Sequence, residues 1–275
     1  MVVQHNLTAM NSNRMLGLTT ATQAKSTEKL SSGYQINRAA DDAAGLSISE
    51  KMRRQVRGLT QATKNAQDGI SMAQTAEGAL NEVHDMLQRI NELAVKGENG
   101  TLKSDDRAYI DAEVQQLMSE IDRVASTTTF NEQNLLDGTG GGDGKGNFSL
   151  QVGAESGQHI DLSIKAMNCS SLQIKGQNAT DSSKAGDLNV AVKKAIQEVS
   201  KQRSEIGAVQ NRLEHTVNNL NNVVENTTSA ESAIRDTDMA TEMVKYSNNN
   251  ILAQAGQSML AQANQSNQGV LSLLG

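Results

Sequence analysis

Both ends of this 275-residue chain carry long helical patterns without a single proline, and the only glycine-rich, strand-like stretch lies between them. Leu59, Ala62, Ala66, Gly69, Ala73, Ala76, Leu80, Val83, Leu87, Ile90 and Ala94 step by alternating threes and fours. That spacing keeps one narrow stripe turned toward a partner helix. Val192, Ile196, Val199, Ile206, Leu213, Val217, Leu220, Val224 and Ile234 carry the matching stripe in the second half. Seams this narrow do not wrap a globular core. They predict a mainly α chain folded back on itself as an elongated antiparallel helical bundle or coiled coil, with paired N- and C-terminal segments and a small β-hairpin in the middle.

The apolar inventory fits thin helix-on-helix packing. Aromatic residues make up 2% of the chain, with no Trp, two Phe and three Tyr, and the mean hydropathy is −0.49. The core must therefore come from Ala, Leu, Ile, Val and Met. Zero prolines contrast with an average usage of about 5%, and a proline inside a helix costs roughly 3 kcal/mol, so helical continuity is the constraint that explains the absence.

Net charge is −6, which speaks against a nucleic-acid partner because phosphate binding needs a basic surface. One region runs the other way: Met1 to Thr60 holds eight basic and four acidic residues, net +4, with Lys51, Arg53, Arg54 and Arg57 at helical spacing. These residues make either a solvated helix face or a surface complementary to the acidic C-terminal stretch around Glu225, Glu231, Asp236, Asp238 and Glu242 on another copy.

Along the chain, Met1 to about Asn37 is a polar amphipathic helix with scattered apolar anchors, one that needs partners to be stable. Ser31, Ser32 and Gly33 end it, and Asp41 and Asp42 open a run from about Ala44 to Lys96, on the order of 75 Å long as a helix. Gly97, Asn99 and Gly100 stop that run, and Ser104, Asp105 and Asp106 start a third helix whose apolar stripe reads Tyr109, Ile110, Val114, Leu117, Ile121 and Val124. A glycine cluster from Gly138 to Gly146 precedes alternating Phe148, Leu150, Val152 and Ile160, Leu162, Ile164, which read as the hairpin. Helix resumes near Asp187 and continues, with one joint around Asp236, almost to Gly275.

Reactive chemistry is not written in this sequence. His5, His84, His159 and His215 lie in no metal-ligand spacing. Gly144 and Lys145 are followed by Gly146 where a phosphate loop requires Ser or Thr. No catalytic residue, cofactor or metal is expected. The single cysteine, Cys169, cannot form an intramolecular disulfide. No cationic and apolar leader opens the chain and no run reaches the roughly 18 apolar residues of a membrane helix, so no membrane partner is expected, and export would have to read an uncleaved segment.

The segment KLSSGYQINRAADDAAGLSISEKMRRQVRGL, Lys29 to Leu59, resembles the N-terminal core of the bacterial flagellins. From Ile206, IGAVQNRLEHTVNNLNNVVENTTSAESAIRDTDMATEM, then NILAQAGQSMLAQANQ and VLSLLG, resemble the C-terminal core. The likeness covers roughly Met1 to Asp137 and Asp187 to Gly275. It implies a subunit that is exported through the flagellar type III apparatus with an export chaperone, polymerises under a cap protein into a helical homopolymer for swimming, and resides outside the cell. It further implies an inner terminal coiled-coil domain of residues 1–43 and 232–275 lining the filament channel. Residues 44–231 would form an outer bundle with a hairpin region at about 138–180 and without the large variable outer domain of many relatives. Leu7, Leu30, Ile251, Leu252, Leu260, Leu271 and Leu274 are the apolar positions expected to carry self-assembly.

Gln88 to Val95 resembles the family's motif for the animal Toll-like receptor that senses flagellin, which implies contacts from Gln88, Arg89, Glu92 and Leu93, with Glu113 on the neighbouring helix. Arg89 would supply a planar donor fork and Leu93 an apolar anchor on one exposed face, or the same residues would pack one subunit on the next. Two other readings stay open: a hook-filament junction protein that caps a few positions without propagating, and a soluble receptor ligand or adhesin.

Overall fold

The computed structural model describes residues 6–141 and 144–274, with side chains to Ser266. In chain order the elements are α1 (Leu7–Ser32), α2 (Ala43–Glu98), α3 (Ser104–Thr127), β1 (Thr129–Phe130), β2 (Gln133–Asn134), β3 (Asn147–Gln151), β4 (His159–Ser163), α4 (Ser182–Arg235) and α5 (Met239–Leu274). The fold is the mainly helical one that the two stripes predict. The chain divides into two compact units. One comprises the residues up to Arg54 and from Asn226 onward; the other is Gln55–Glu225.

Local chemistry sets the helix ends. Gly33 takes the left-handed conformation, φ 76°, that stops α1, five residues short of the expected Asn37. Asp42 Oδ1 accepts from Ala44 N at 3.0 Å and Gly45 N at 2.9 Å to start α2. Asp106 Oδ2 accepts from Lys103 N at 3.2 Å at the start of α3. The joint expected near Asp236 is real: α4 stops at Arg235, and Asp238 Oδ1 accepts from Ala240 N at 3.0 Å to begin α5. Helix α4 starts at Ser182, five residues before the expected Asp187. Its Ser182 hydroxyl donates to Glu98 O at 2.8 Å, satisfying an orphan carbonyl at the end of α2.

In the Gln55–Glu225 unit, α4 runs antiparallel to α2. Leu220 shares a buried cluster with Leu59 and Ala62, and Leu213 shares one with Ala66. Helix α3 turns back along α2, pairing Arg107 with Gly97 and Arg89 with Glu113. Leu80, Val83, Leu87, Ile90, Val114, Ile121, Val192 and Ile206 are wholly buried in one core. Strands β3 and β4 pair antiparallel from Asn147↔Ser163 to Gln151↔His159. A methyl at Gly69 would overlap Leu150 Cδ1, so the Leu150 side chain of the hairpin packs directly against α2 at this glycine.

Two expectations need correcting, and the fold adds one element that the sequence does not signal. Between β4 and α4 the chain is irregular, not hairpin, yet Met167, Cys169, Leu172 and Ile174 are all buried in the main core. A second, two-residue hairpin, β1–β2, turns through Asn131 and Glu132 at φ 49° and 63°; strands so short leave no alternation to read. Tyr109 is 77% exposed instead of joining the α3 stripe, because it sits one position off the Ile110, Val114, Ile121 line.

In the other unit α1 lies antiparallel to α5. Asn6 Nδ2 donates to Ala263 O at 3.0 Å, Gly256 faces Leu16, Ser26 bonds Glu242, and Thr237 N donates to Gly33 O at 2.9 Å. Within the basic cluster, Arg53 finds an acidic partner inside the same chain: its Nε lies 3.2 Å from Glu231 Oε1 and 28% of its side chain remains exposed.

Candidate functional site

Two surfaces carry the residues singled out in the sequence, one in each unit. On α2 and α3 the Arg89 guanidinium donates through Nε and Nη2 to Glu113 Oε1 at 3.1 and 2.9 Å, and through Nη1 to Glu92 Oε2 at 3.1 Å. These bonds, that to Glu113 foremost, raise the Arg89 pKa above its ordinary value. Gln88 Nε2 sits 2.8 Å from His84 Nε2 one turn earlier. All of these carboxylates and donors face solvent. Arg89, Glu92 and Glu113 rim a groove of about 540 Å³ whose other lining residues include Leu93, Lys96, Leu102, Tyr109 and Ile110.

Leu93 does not stand on the exposed face with Arg89. It is 3% exposed and packs in the core with Ile90, Ala94 and Ile110, since it flanks the Leu87, Ile90, Ala94 stripe closely enough to be covered by α3. The exposed apolar surface here belongs to Tyr109 instead. Its position one residue outside the α3 stripe is the sequence signal that would have found it.

Among the described residues of the α1/α5 unit few are buried, and half of those are polar: Ser26, Ser49 and Glu242, beside Ile36, Gly45 and Ala253. Large apolar side chains point outward instead. Leu7, Met10, Met15 and Leu18 on α1, and Met239, Met243, Val244, Ile251, Leu252 and Met259 on α5, are each between 47% and 70% exposed. Among the described residues of the other unit, only Val95, Tyr109 and Val190 stand comparably exposed. Of the positions expected to carry self-assembly, Leu7, Ile251 and Leu252 are exposed, Leu30 and Leu260 are half-buried, and the side chains of Leu271 and Leu274 lie outside the described residues.

The seam between α1 and α5 is held at one point by a charge. Glu242, 6% exposed, accepts from the Ser26 hydroxyl and lies 3.3 Å from Lys245 Nζ. The Ser26 bond leads, against the cost of burial, in lowering its carboxyl pKa.

Cys169 has the opposite character. Its buried Sγ donates to Met118 O at 3.1 Å, and burial, with the nearby Asp122 carboxylate, pushes the thiol up to about 12. A thiol held protonated is a poor nucleophile. Among the described residues no helix is long and apolar enough to cross a membrane.

A family profile described as "Bacterial flagellin N-terminal helical region" matches residues 3–140, and one described as "Bacterial flagellin C-terminal helical region" matches residues 190–274. The chain is 51% identical to a flagellin of Halalkalibacterium halodurans and 48% identical to one of Bacillus subtilis, each match spanning all of both chains. A "Flagellar filament 31.3 kDa core protein" of Treponema maltophilum is 48% identical over the full length of both. The crystal structure of Bacillus cereus flagellin aligns with 57% of this chain and 88% of its own at a TM-score of 0.52 and 31% identity. With both helical regions matched and half of all positions identical over the entire length, the chain belongs to the bacterial flagellin family.

Proposed function

We propose that this chain is the repeating subunit of a bacterial flagellar filament that drives swimming, exported through the flagellar type III apparatus with a chaperone and added beneath a cap protein at the filament's far end. Residues 1–43 and 232–275 would line the channel, and residues 44–231 would form the outer wall. The observation that carries this reading is the inverted burial of α1 and α5, where ten large apolar side chains face out while Ser26 and Glu242 are covered. A helix pair built this way gains its missing apolar burial from neighbouring copies. The names of the relatives, one of them a filament core protein, agree.

Seeded growth tests it. Purified chain is mixed with short filament fragments under a salting-out salt, which strengthens apolar burial, and imaged by electron microscopy. Fragments should lengthen with added chain, and should not when residues 232–275 are removed. Capped ends without elongation would point to a junction protein, and no interaction to a soluble ligand.

The groove at Arg89 supports a second role, recognition by the flagellin-sensing Toll-like receptor through Gln88, Arg89, Glu92 and Glu113, with Leu93 beneath them. A pre-ordered guanidinium beside an exposed tyrosine is the kind of anchor on which interfaces concentrate their energy.

A further inference from the structure

The link between α2 and α3 holds the chain's one Asn-Gly dipeptide, Asn99–Gly100. Both residues are exposed, and a side chain at Gly100 would meet nothing within 4 Å. A glycine nitrogen with no bulk beside it is the least hindered backbone nucleophile for the preceding asparagine amide. Thr101 N donates to Asn99 Oδ1 at 3.3 Å, drawing electron density from the side-chain carbonyl. Arg107 Nη2 donates to the Asn99 backbone oxygen at 3.0 Å, while its Nε donates to Gly97 O at 3.1 Å. The guanidinium therefore sits on the carbonyl of the Asn99–Gly100 peptide, where it stabilises the negative charge that spreads onto that oxygen when the Gly100 N–H gives up its proton. Among the described residues, Gly100 N donates no hydrogen bond that would have to break first.

We propose that Asn99–Gly100 is a self-modifying site whose only co-reactant is water. Gly100 N loses its proton to solvent and attacks Asn99 Cγ. The charge that develops on Oδ1 is met by the Thr101 N–H, the arrangement that stabilises such an oxyanion, and attack within one chain avoids the cost of bringing two molecules together. The Cγ–Nδ2 bond breaks, and Nδ2 leaves as ammonia with a proton from solvent, closing a five-membered imide. Water then adds to either imide carbonyl. One opening gives aspartate; the other gives isoaspartate, with the main chain rerouted through Cβ. The sum is amide plus water to carboxylate plus ammonium, with no change of oxidation state. Arg107 acts as a positioning residue, through the Asn99 carbonyl. The product places a negative charge just past the C-terminal end of α2, which the helix dipole disfavours, so each molecule carries a chemical record of its age at the α2–α3 turn.

The test uses the full chain, held in neutral and mildly alkaline buffer, once native and once in denaturant. The peptide containing Asn99 is then mapped by mass spectrometry with fragmentation that separates aspartate from isoaspartate. Conversion should concentrate at Asn99, rise with pH, yield both products, and run at least as fast in the native chain as in the denatured one. Arg107→Gln should slow the native rate roughly tenfold and leave the denatured rate unchanged. Thr101→Pro, which removes the N–H donor without touching Arg107, should also slow the native rate. An Asn99 that keeps its amide in the native chain while losing it in denaturant would overturn the proposal, as would a native rate indifferent to both substitutions.

Discussion

Arg235 lies over the ring of Tyr34, 4.7 Å from its centroid, and its Nη1 donates to Glu50 Oε1 at 2.9 Å. Three segments, the end of α1, the start of α2 and the end of α4, are thus tied by one guanidinium with a side-chain exposure of 14%. Replacing it by alanine removes a partly desolvated cation–π contact and an ion pair, together about 1–3 kcal/mol. Arg235→Ala should speed proteolytic cleavage in the 236–238 joint, read by timed digestion. Arg235→Lys should restore little, because an ammonium cannot stack flat on Tyr34 while reaching Glu50.

The long seam should tolerate no charge. Leu87 and Leu213 are wholly buried, so Leu87→Asp or Leu213→Asp each cost on the order of 4 kcal/mol or more, through lost packing plus a carboxylate without a partner. Circular dichroism should show a loss of cooperative melting in both. Helical content and melting temperature unchanged in both would contradict the bundle.

Glu242 makes the α1–α5 pairing sensitive to acid. Its folded pKa lies below the ordinary glutamate value, so the folded state binds fewer protons than the unfolded one. Its contribution is therefore complete above the unfolded pKa and is lost as pH falls through the lower folded value. Amide exchange in α1 should accelerate in that acidic window. Glu242→Gln should exchange faster at neutral pH, by about 1 kcal/mol, and lose that part of the acid dependence.

Arg89→Ala and Leu93→Ala should separate signalling from folding. Arg89, with half of its side chain exposed, is held by surface ion pairs that water and salt screen, so they add little to stability. Its removal should leave the melt nearly unchanged while receptor-reporter potency falls roughly tenfold or more. Leu93→Ala should lower stability by about 2–4 kcal/mol, so any signalling loss must be judged against its melting curve. Equal potency of Arg89→Ala and the parent chain would remove the receptor role from this groove.

Periodicity made the seam legible: every member of the Leu59-to-Ala94 stripe is buried, because threes and fours on a helix leave only one side to face a partner. Stop chemistry at Gly33 and start chemistry at Asp42 were equally local and equally readable. The segment carrying Met167, Cys169, Leu172 and Ile174 was not, since an irregular chain buries residues without any period. At the groove, Leu93 and Tyr109 exchange their expected surroundings, because one residue of helical phase decides which side α3 covers, and that phase depends on how two helices meet. The Arg53–Glu231 pair needed the fold to bring residues so distant in sequence together.

Gln35 N donates to Arg235 O at 2.7 Å and Thr237 N to Gly33 O at 2.9 Å, stitching the exits of α1 and α4 backbone to backbone. The first and last stretches of the chain are therefore a single inheritance: shortening either strands the other, and a substitution near one terminus should find its compensating change near the opposite one.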